Sequence, residues 1–335
     1  MAYTIVQFSS FFLPKVNFSL LESELGKREW KTYRIGIRTN RLDEKQSLMR
    51  QVRDKASKHS LFQNKKHVFG SPDLEFLFDE ADQKIHLTIF PVIVLGRYLK
   101  LQRGIAQTKH FCFKCKGRGC SHCGHSGVLS KESVQELISP FLVEAFSCDE
   151  VLFHGSGRED VDVRMLGDGR PFALTLENPK KRTVDLSLIE EMINSGLKQK
   201  VEVHSFSFGS VSDISRITIP THSKKYGALV ECSIEPELSF LRFFLGQKLD
   251  IEQTTPVRME KRRSMKDRFR WAIIESVKPI DSTHFELILH ASSGLYIKEF
   301  ISGDETRTNP SISSLLKTPC TCKELDVLEI VEEEK

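Results

Sequence analysis

The stretch GREDVDVRMLGDGRPF, residues 157–172, carries the strongest structural and chemical signal in this sequence. Seven of its sixteen residues are charged and three are glycine, and an apolar run ends a few residues before it. Asp160 and Asp162 are two residues apart, so on an extended backbone their side chains point the same way, with Arg158 and Arg164 on either side. A carboxylate beside arginines stays ionised at neutral pH, as a nucleophile or general base must. Composition alone leaves two interpretations open, a solvated turn and a reaction site.

The length and composition indicate a globular protein of two domains. A chain of 335 residues is long for one hydrophobic core, and 39% apolar with 28% charged residues is typical of soluble domains. No apolar run approaches the roughly 20 residues that cross a bilayer. The N-terminal residues lack the basic lead and the small-residue cleavage site of a signal peptide. We therefore expect a cytoplasmic protein without membrane contact.

The distribution of charge is more informative than its sum. A net charge of +4 is too small to indicate nucleic-acid binding by itself. Residues 95–118, however, contain seven basic and no acidic side chains, and residues 257–270 contain seven basic and two acidic ones. Two local basic stretches favour contacts with a polyanion at defined places. Solvated helix faces are the alternative for either stretch taken alone.

The cysteines predict a metal site. Four of the eight lie within twelve residues, in the spacing Cys112-x2-Cys115-x4-Cys120-x2-Cys123. Four thiolates complete the tetrahedral coordination of a structural zinc ion, and Gly117 and Gly119 permit the positive φ that such turns require. A labile thiol pair is the alternative, and His122 and His125 are expected to be exposed although either could substitute as a ligand. The site leaves no open coordination position, so its expected role is to rigidify a basic loop.

The pattern of apolar residues predicts an α+β protein. Residues 33–37 alternate like a strand, 42–59 favour a helix, and 75–96 favour a hairpin that turns at 81–83. Amphipathic helices are expected at 130–146 and 185–197, the second with a capping box formed by Ser187 and Glu190. Further strands are predicted at 172–177, 201–208, 226–234, 271–277 and 285–290. This order favours a mixed, largely antiparallel sheet flanked by helices.

The charged stretch also carries a resemblance to a known family. Gly157-Arg158-x-Asp160 after a strand resembles the aspartate motif of pseudouridine synthases. The whole of residues 157–172 resembles the archaeal and eukaryotic tRNA pseudouridine 54/55 synthases, the Pus-ten family. Other segments resemble that family in the same order: GRYLKLQRGIAQTKH (96–110), the cysteine cluster with SGVLSKESVQELI (126–138), KKYGALV (224–230), QTTPVRMEKRR (253–263), SSGLYIKEFISGDETRTNPSISSLL (292–316) and ELDVLEI (324–330). Six such segments in sequence order are far more specific than any one of them.

The resemblance implies a domain organisation. An α/β accessory domain of the THUMP kind is expected at residues 1–110, a zinc-binding loop of four cysteines at 111–127, and the catalytic domain with the mixed pseudouridine synthase sheet at 128–335. Family members often carry an additional cysteine-bearing segment near the N-terminus, whereas no cysteine precedes Cys112 here. The accessory domain is therefore expected to be shortened.

The resemblance also implies roles for individual residues. Asp160 would act on the ribose of the target uridine, either by attacking C1′ or by removing the C2′ proton. Lys298 matches the basic residue that would pair with this aspartate and keep it charged. Tyr226 matches a tyrosine that stacks on the flipped uracil, and Tyr296 would line the other side of the base. Asp162 matches a structural position of the motif.

The expected partner is tRNA, recognised mainly by shape and backbone contacts. Substrate contacts are predicted for the basic side chains Arg158, Arg164, Arg258, Lys261, Arg262 and Arg263. The reaction breaks the N1–C1′ bond, rotates the uracil and rejoins it through C5, so no organic cofactor is required. No obligate protein partner is indicated by the sequence.

Two other functions are compatible with parts of the sequence. A non-catalytic, zinc-containing RNA-binding protein could use the same basic segments with an inactive aspartate, although Asp160, Tyr226 and Lys298 are all present. A glycoside hydrolase could use Asp160 and Asp162 as its carboxylate pair. Three features argue against the hydrolase: the low number of tryptophans, which is two, the local basic charge and the cysteine cluster.

Overall fold

The computed structural model describes residues 6–7, 18–81, 84–219, 222–260 and 263–331. The strands are β1 Val6–Gln7, β2 Thr32–Arg38, β3 Lys66–His67, β4 Leu74–Asp79, β5 Lys84–Ile89, β6 Val92–Lys100, β7 Glu150–Gly155, β8 Arg164–Glu177, β9 Val201–Gly209, β10 Ser223–Cys232, β11 Lys248–Thr254, β12 Asp267–Pro279, β13 His284–Ala291, β14 Thr308–Asn309 and β15 Cys320–Val331. The α-helices are α1 Glu22–Leu25, α2 Lys45–Lys58, α3 Val134–Phe146, α4 Leu186–Gly196, α5 Val211–Thr218, α6 Ser239–Phe243, α7 Ile297–Ser302 and α8 Ile312–Leu316.

A five-stranded sheet forms the N-terminal unit, in the order β1-β5-β4-β2-β3. The predicted strand at 33–37 is β2, the predicted helix at 42–59 is α2, and β4 and β5 form the predicted antiparallel pair, whose turn lies partly outside the described residues. Helix α2 buries Leu48, Val52 and Ala56, which are four residues apart and therefore share one helical face. This face covers an aromatic core that includes Trp30 and Phe76, 6.2 Å apart between ring centroids.

A ten-stranded sheet forms the second unit. Nine of its strands follow the order β14-β11-β12-β13-β10-β15-β8-β6-β9, and β7 pairs with β8. Among the described pairs of this sheet, β8 and β15 run parallel and all the others run antiparallel. The prediction of a mixed, largely antiparallel sheet with helices is therefore confirmed. Strand β10 lies near the middle of the sheet, where Tyr226 faces Leu289 of β13 and Val327 of β15 in register.

Helices α3 and α4 correspond to the two predicted amphipathic helices. Ser133 caps α3 by accepting a hydrogen bond from the Glu136 N–H at 3.2 Å, and every fourth residue from Val134 to Phe146 is buried. The predicted capping box of α4 is wrong, because Asp185 supplies the cap. The Glu190 carboxylate instead accepts a hydrogen bond from the backbone N–H of Phe206 on β9. This bond ties α4 to the edge strand of the larger sheet.

Strand β10 is shorter than predicted at its C-terminal end. Ala228, Val230 and Cys232 are buried on one face as the alternation predicts, but the strand ends at Cys232 and Ile234 is 63% exposed. The scattered cysteines also include a neighbouring pair, since Cys232 and Cys320 lie opposite each other on β10 and β15, with 3.2 Å between their Sγ atoms. Both thiols are buried in the core of the larger sheet.

The larger sheet begins with β6, which pairs with β8 and β9. Residues 92–100 therefore pair with strands of the second unit. The domain boundaries at residues 110 and 127 and the THUMP-like character of the first unit remain predictions. Arg182 joins the two units by donating hydrogen bonds to Asp73 and to the carbonyl of Phe90. No helix within the described residues is long and apolar enough to cross a membrane.

Candidate active site and cysteine loop

The motif residues converge on one pocket of about 640 Å³. It lies where the loop after β7, strand β10, the basic loop between β11 and β12 and the start of α7 meet. The predicted residues that line it are Arg158, Asp160, Tyr226, Arg258, Arg263, Tyr296 and Lys298. This volume is in the range of ligand-binding sites, which are commonly about 300 to 1,000 Å³.

A tight turn presents Asp160 to this pocket. Gly157 has φ of 75°, and an added Cβ would approach Nη1 of Arg170 to 3.2 Å, so both backbone conformation and space favour glycine there. The Val163 N–H closes the turn on the carbonyl of Asp160 at 3.1 Å. Asp160 and Asp162 therefore lie in a turn, and the expectation of an extended backbone between them is wrong. Both carboxylates nevertheless reach the same lysine.

The predicted pair of Lys298 and Asp160 is present, but each of the two residues has a closer partner. Lys298 Nζ lies 2.7 and 2.8 Å from the carboxylate oxygens of Asp162 but 3.5 Å from Oδ2 of Asp160. Within the described residues the closest cation to Asp160 is Arg258, whose Nη1 lies 3.0 Å from Oδ2. Burial raises the pKa of Asp162, but the hydrogen bonds and charge of Lys298 outweigh it and hold that pKa below its usual value.

Arg258 bridges two carboxylates. Its Nε lies 2.5 Å from Oε1 of Glu299, a residue that is 5% exposed, while its Nη1 contacts Asp160. Burial lowers the pKa of Arg258, and Glu299 followed by Asp160 raises it above the usual value. The sequence predicted a substrate contact for this arginine. In the structure it also fixes Asp160 to the start of α7, because Glu299 lies on that helix.

A buried network lies directly under the turn and was not predicted. Glu159 accepts hydrogen bonds from the Tyr98 hydroxyl at 2.9 Å and lies 2.8 Å from Nε of Arg170 and 3.5 Å from Nζ of Lys100. The two cations continue to the backbone: Lys100 donates to the carbonyl of Asp160 at 3.0 Å and Arg170 to that of Ser156 at 2.8 Å. The turn is thus held from below by side chains that are at most 6% exposed.

Sequence alone offered little signal for this network. Tyr98 and Arg170 are register partners on β6 and β8 and are separated by 72 positions in the chain. Burial raises the pKa of Tyr98 well above its usual value, with the charge of Glu159 adding to the effect. The sequence assigned no role to Arg170, and most arginines are exposed.

Strand β10 contributes Tyr226 and Lys224 to the pocket. Burial raises the pKa of Tyr226 to about 12, so the phenol is neutral at neutral pH. Lys224 is 9% exposed and donates to the carbonyl of His222 at 2.8 Å. Burial, with the nearby charge of Arg170, lowers the pKa of Lys224 from 10.5 to about 8. Lys224 lies within the segment KKYGALV, but the sequence assigned it no role.

Tyr296 is surrounded by guanidinium groups. The Cζ atoms of Arg258, Arg263 and Arg268 lie 5.7 to 5.9 Å from the centre of its ring. Arg263 also donates a hydrogen bond to the Tyr296 hydroxyl at 2.9 Å. An aromatic ring among arginines is suited to contact bases and phosphates together.

Not all of the predicted basic contacts can be placed at the pocket. Arg164 lies on β8 and forms a bidentate pair with Asp326 of β15, at 2.9 and 2.5 Å, and is not among the residues that line the pocket. Lys261 and Arg262 fall outside the described residues. Arg158 lines the pocket as predicted.

The cysteine loop, residues 111–127, brings its four thiols together. The Sγ atoms of Cys112, Cys115, Cys120 and Cys123 all lie within 4.8 Å of one another. Three of the pairs are 3.8 Å apart. Thiolates about 2.3 Å from a tetrahedral zinc ion would be separated by about 3.8 Å, so the donor set fits this metal.

The backbone of the loop supports the same conclusion. N–H groups point at two of the sulfurs, with Gly119 3.2 Å from Cys115 and Gly127 3.3 Å from Cys123. Burial raises the pKa of Cys123 and the N–H groups of Cys120 and Gly127 lower it, to about 6. Gly117 and Gly119 have φ of 90° and 88°, as predicted, and His122 and His125 are exposed.

Comparison with known proteins places these features in a family. The family model described as "Pus10, C-terminal" matches residues 93–331. Proteins named tRNA pseudouridine synthase Pus10 from Methanocaldococcus jannaschii and Methanothermobacter marburgensis are 45% and 46% identical over 77% and 79% of this chain. The matched regions span 57% and 66% of those two relatives. A protein of the same name from Korarchaeum cryptofilum is 40% identical over 79% of this chain and 72% of its own length.

Solved structures give a weaker likeness. A Cbf5-Nop10-Gar1 complex is similar with a TM-score of 0.32 and 16% identity, over 58% of this chain and 44% of that one.

Proposed function

This chain belongs to the family described as "Pus10, C-terminal", and from that premise we propose that it is a tRNA pseudouridine synthase that acts on uridine in the T loop, at position 54, position 55 or both. The relatives carrying that enzyme name are longer than the matched region, so the activity is a proposal for this chain. The observation that carries it is the convergence of Asp160, Tyr226 and Lys298 on one pocket. These residues lie on three separate segments of the sequence.

In the proposed reaction Asp160 acts on the ribose. Its carboxylate either attacks C1′ or removes the C2′ proton, and in both cases the N1–C1′ bond breaks and a C5–C1′ bond forms. The isomerisation involves no net oxidation or reduction. Arg258 and Lys298, at 3.0 and 3.5 Å from Oδ2, position this carboxylate and stabilise its negative charge.

Tyr226 and Tyr296 would hold the base while it turns. A target uridine in folded RNA must leave its stack to reach the pocket, and aromatic side chains offset the loss of its neighbours. The phenol of Tyr226 remains neutral at neutral pH, so it presents an uncharged ring to the detached uracil. Arg158 and Arg263 would contact the phosphates beside it.

The four cysteines would hold a structural zinc ion. With all four positions taken by thiolates, the metal would brace the basic loop and would have no open position for a substrate. A cytoplasmic location is part of the same proposal.

The test uses an unmodified tRNA transcript treated with wild-type protein, Asp160→Asn and Asp162→Asn in parallel. Pseudouridine is detected by carbodiimide adducts that stop primer extension. We expect stops in the T loop with wild type and none with Asp160→Asn. Asp162→Asn should keep measurable activity, because Asp160 still has Arg258 and Lys298 beside it.

Two results would contradict the proposal. Equal activity of wild type and Asp160→Asn would remove the aspartate from the mechanism. Tight binding of tRNA without stops from any protein would instead favour the non-catalytic RNA-binding alternative.

A further inference from the structure

Phe113 connects the cysteine loop to the catalytic pocket. It lies between Cys112 and Cys115, yet it lines the same pocket as Asp160 and Tyr226 and is 42% exposed. An exposed ring that lines a polar pocket can stack on a base bound at that pocket. Nothing in the sequence motifs assigns this ring a function.

The ring is carried on a rigid support. The Cys112 N–H donates to the carbonyl of Gly127 at 2.8 Å, and the Lys116 N–H donates to the carbonyl of Cys112 at 2.7 Å. An added Cβ at Gly127 would lie 2.3 Å from the carbonyl oxygen of Gly117, so the backbone segments around these two glycines are in close contact. Phe113 itself contacts the His122 ring, 5.0 Å away between centroids.

The surroundings of Phe113 are cationic. Residues 109–123 contain no acidic side chain, and Lys114, Lys116 and Arg118 of this segment are exposed. An exposed aromatic ring among fixed positive charges matches the chemistry of single-stranded nucleic acid, whose bases stack on rings while its phosphates contact cations. The charge favours RNA over an apolar protein surface as the occupant.

We propose that Phe113 stacks on a base adjoining the uridine that is extruded into the pocket, so that the cysteine loop forms part of the substrate site. This inference rests on the proposed function, which places the target uridine beside Asp160. When that uridine leaves the stack, its neighbour loses a partner face, and Phe113 at the rim of the same pocket replaces it. Tyr226 and Tyr296 then hold the target base, and Phe113 holds the base beside it.

The test measures stacking directly on full-length tRNA. The fluorescent base 2-aminopurine is placed in turn on the 5′ and the 3′ side of the target uridine, because stacking on an aromatic ring quenches its emission. With wild type, one of the two positions should be quenched on binding, and with Phe113→Ala that position should stay bright. The dissociation constant of the Phe113→Ala complex should rise between about fivefold and 150-fold, the range expected for one base–aromatic stack of about 1 to 3 kcal/mol.

The controls separate stacking from folding. Phe113→Tyr should restore quenching, whereas Phe113→Leu, which keeps an apolar side chain without a ring, should not. Phe111→Ala is the matched control: this ring is also exposed, at 54%, but packs on Gly117 and is not among the residues that line the pocket. Its affinity and quenching should equal those of wild type. Circular dichroism and bound zinc are compared for every variant.

Pseudouridine formation is measured in the same samples, so that the two proposals fail separately. Quenching that depends on Phe113 without any pseudouridine supports the inference and overturns the proposed activity. Pseudouridine formation with equal quenching and affinity in wild type and Phe113→Ala overturns the inference alone. Loss of quenching in Phe111→Ala as well as in Phe113→Ala also overturns it, because the effect would then belong to the loop as a whole.

Discussion

The buried network under the Asp160 turn predicts a large effect of a small substitution, Glu159→Gln. The change keeps the shape of the side chain and removes its charge. It leaves the guanidinium of Arg170 and the ammonium of Lys100 without the carboxylate that lies 2.8 and 3.5 Å from them. These two cations are 1% and 0% exposed, so water cannot replace the lost partner.

The magnitude follows from that burial. Removing one member of a buried ion pair costs about 3 to 5 kcal/mol, because an uncompensated charge remains in the interior. For a domain of this size 1 kcal/mol lowers the melting temperature by about 2 to 4 °C. We therefore expect Glu159→Gln to lower it by about 6 to 20 °C, measured by differential scanning calorimetry at neutral pH.

Glu231→Gln provides the matched control, since it makes the same chemical change on β10. The Glu231 side chain is 41% exposed and pairs with Lys323 at 3.1 Å. An exposed pair of this kind contributes at most about 1 kcal/mol, so the control should lose no more than about 4 °C. Equal melting temperatures for wild type and Glu159→Gln would refute the assignment of Glu159 as the support of the turn.

The remaining predictions concern the metal, the buried lysine and the arginine beside the aspartate. Purified protein should contain about one zinc ion per chain by atomic emission, and Cys115→Ser should lose most of it, because the four Sγ atoms form a single donor set; full zinc content in this variant would contradict the assignment. Lys224→Met should raise the melting temperature at pH 7 but have little effect above pH 10.5. Burial lowers the pKa of Lys224 from 10.5 to about 8, so a cost of about 3 kcal/mol is fully present below pH 8 and disappears as pH rises to 10.5. An equal rise in melting temperature at both pH values would show that the buried charge of Lys224 is not the cause. Arg258→Ala should lower kcat for pseudouridine formation about tenfold or more, because Arg258 contacts Asp160 at 3.0 Å. Arg263→Ala should act mainly on KM, because Arg263 contacts the Tyr296 hydroxyl at the base site. If steady-state kinetics show a larger loss of kcat for Arg263→Ala than for Arg258→Ala, Asp160 is positioned by other groups.

The fold was predictable where one physical signal was strong. Alternation of apolar residues located β2, β9, β10, β12 and β13 to within a few residues. The signal failed in β8, predicted at 172–177 but beginning at Arg164, because its first half carries Arg164, Asp168 and Arg170 in place of apolar residues. The short helices α5 to α8, with at most eight residues each, contain too few turns to show a helical period.

The site was predictable in its members but only in part in its pairings. The order of motifs identified Asp160, Arg258 and Lys298 and paired Lys298 with Asp160, which lie 3.5 Å apart. It did not predict that Lys298 lies closer to Asp162 or that Arg258 contacts Asp160. The order of these distances depends on a short turn, which places Asp162 within 2.8 Å of Lys298 and Asp160 at 3.5 Å. A difference of this size is set by backbone dihedrals in the turn, which the residue types alone do not determine.

The two cations beside Asp160 each have a second carboxylate of their own, Glu299 for Arg258 and Asp162 for Lys298. Removing Lys298 therefore leaves Asp160 paired with Arg258, its closer partner. Removing Arg258 instead leaves Glu299 on α7 without the guanidinium that it contacts. Since Glu299 is 5% exposed, the second change also alters the packing of α7. Loss of turnover in an Arg258 variant thus reports on Asp160 only when the melting temperature of the variant equals that of wild type.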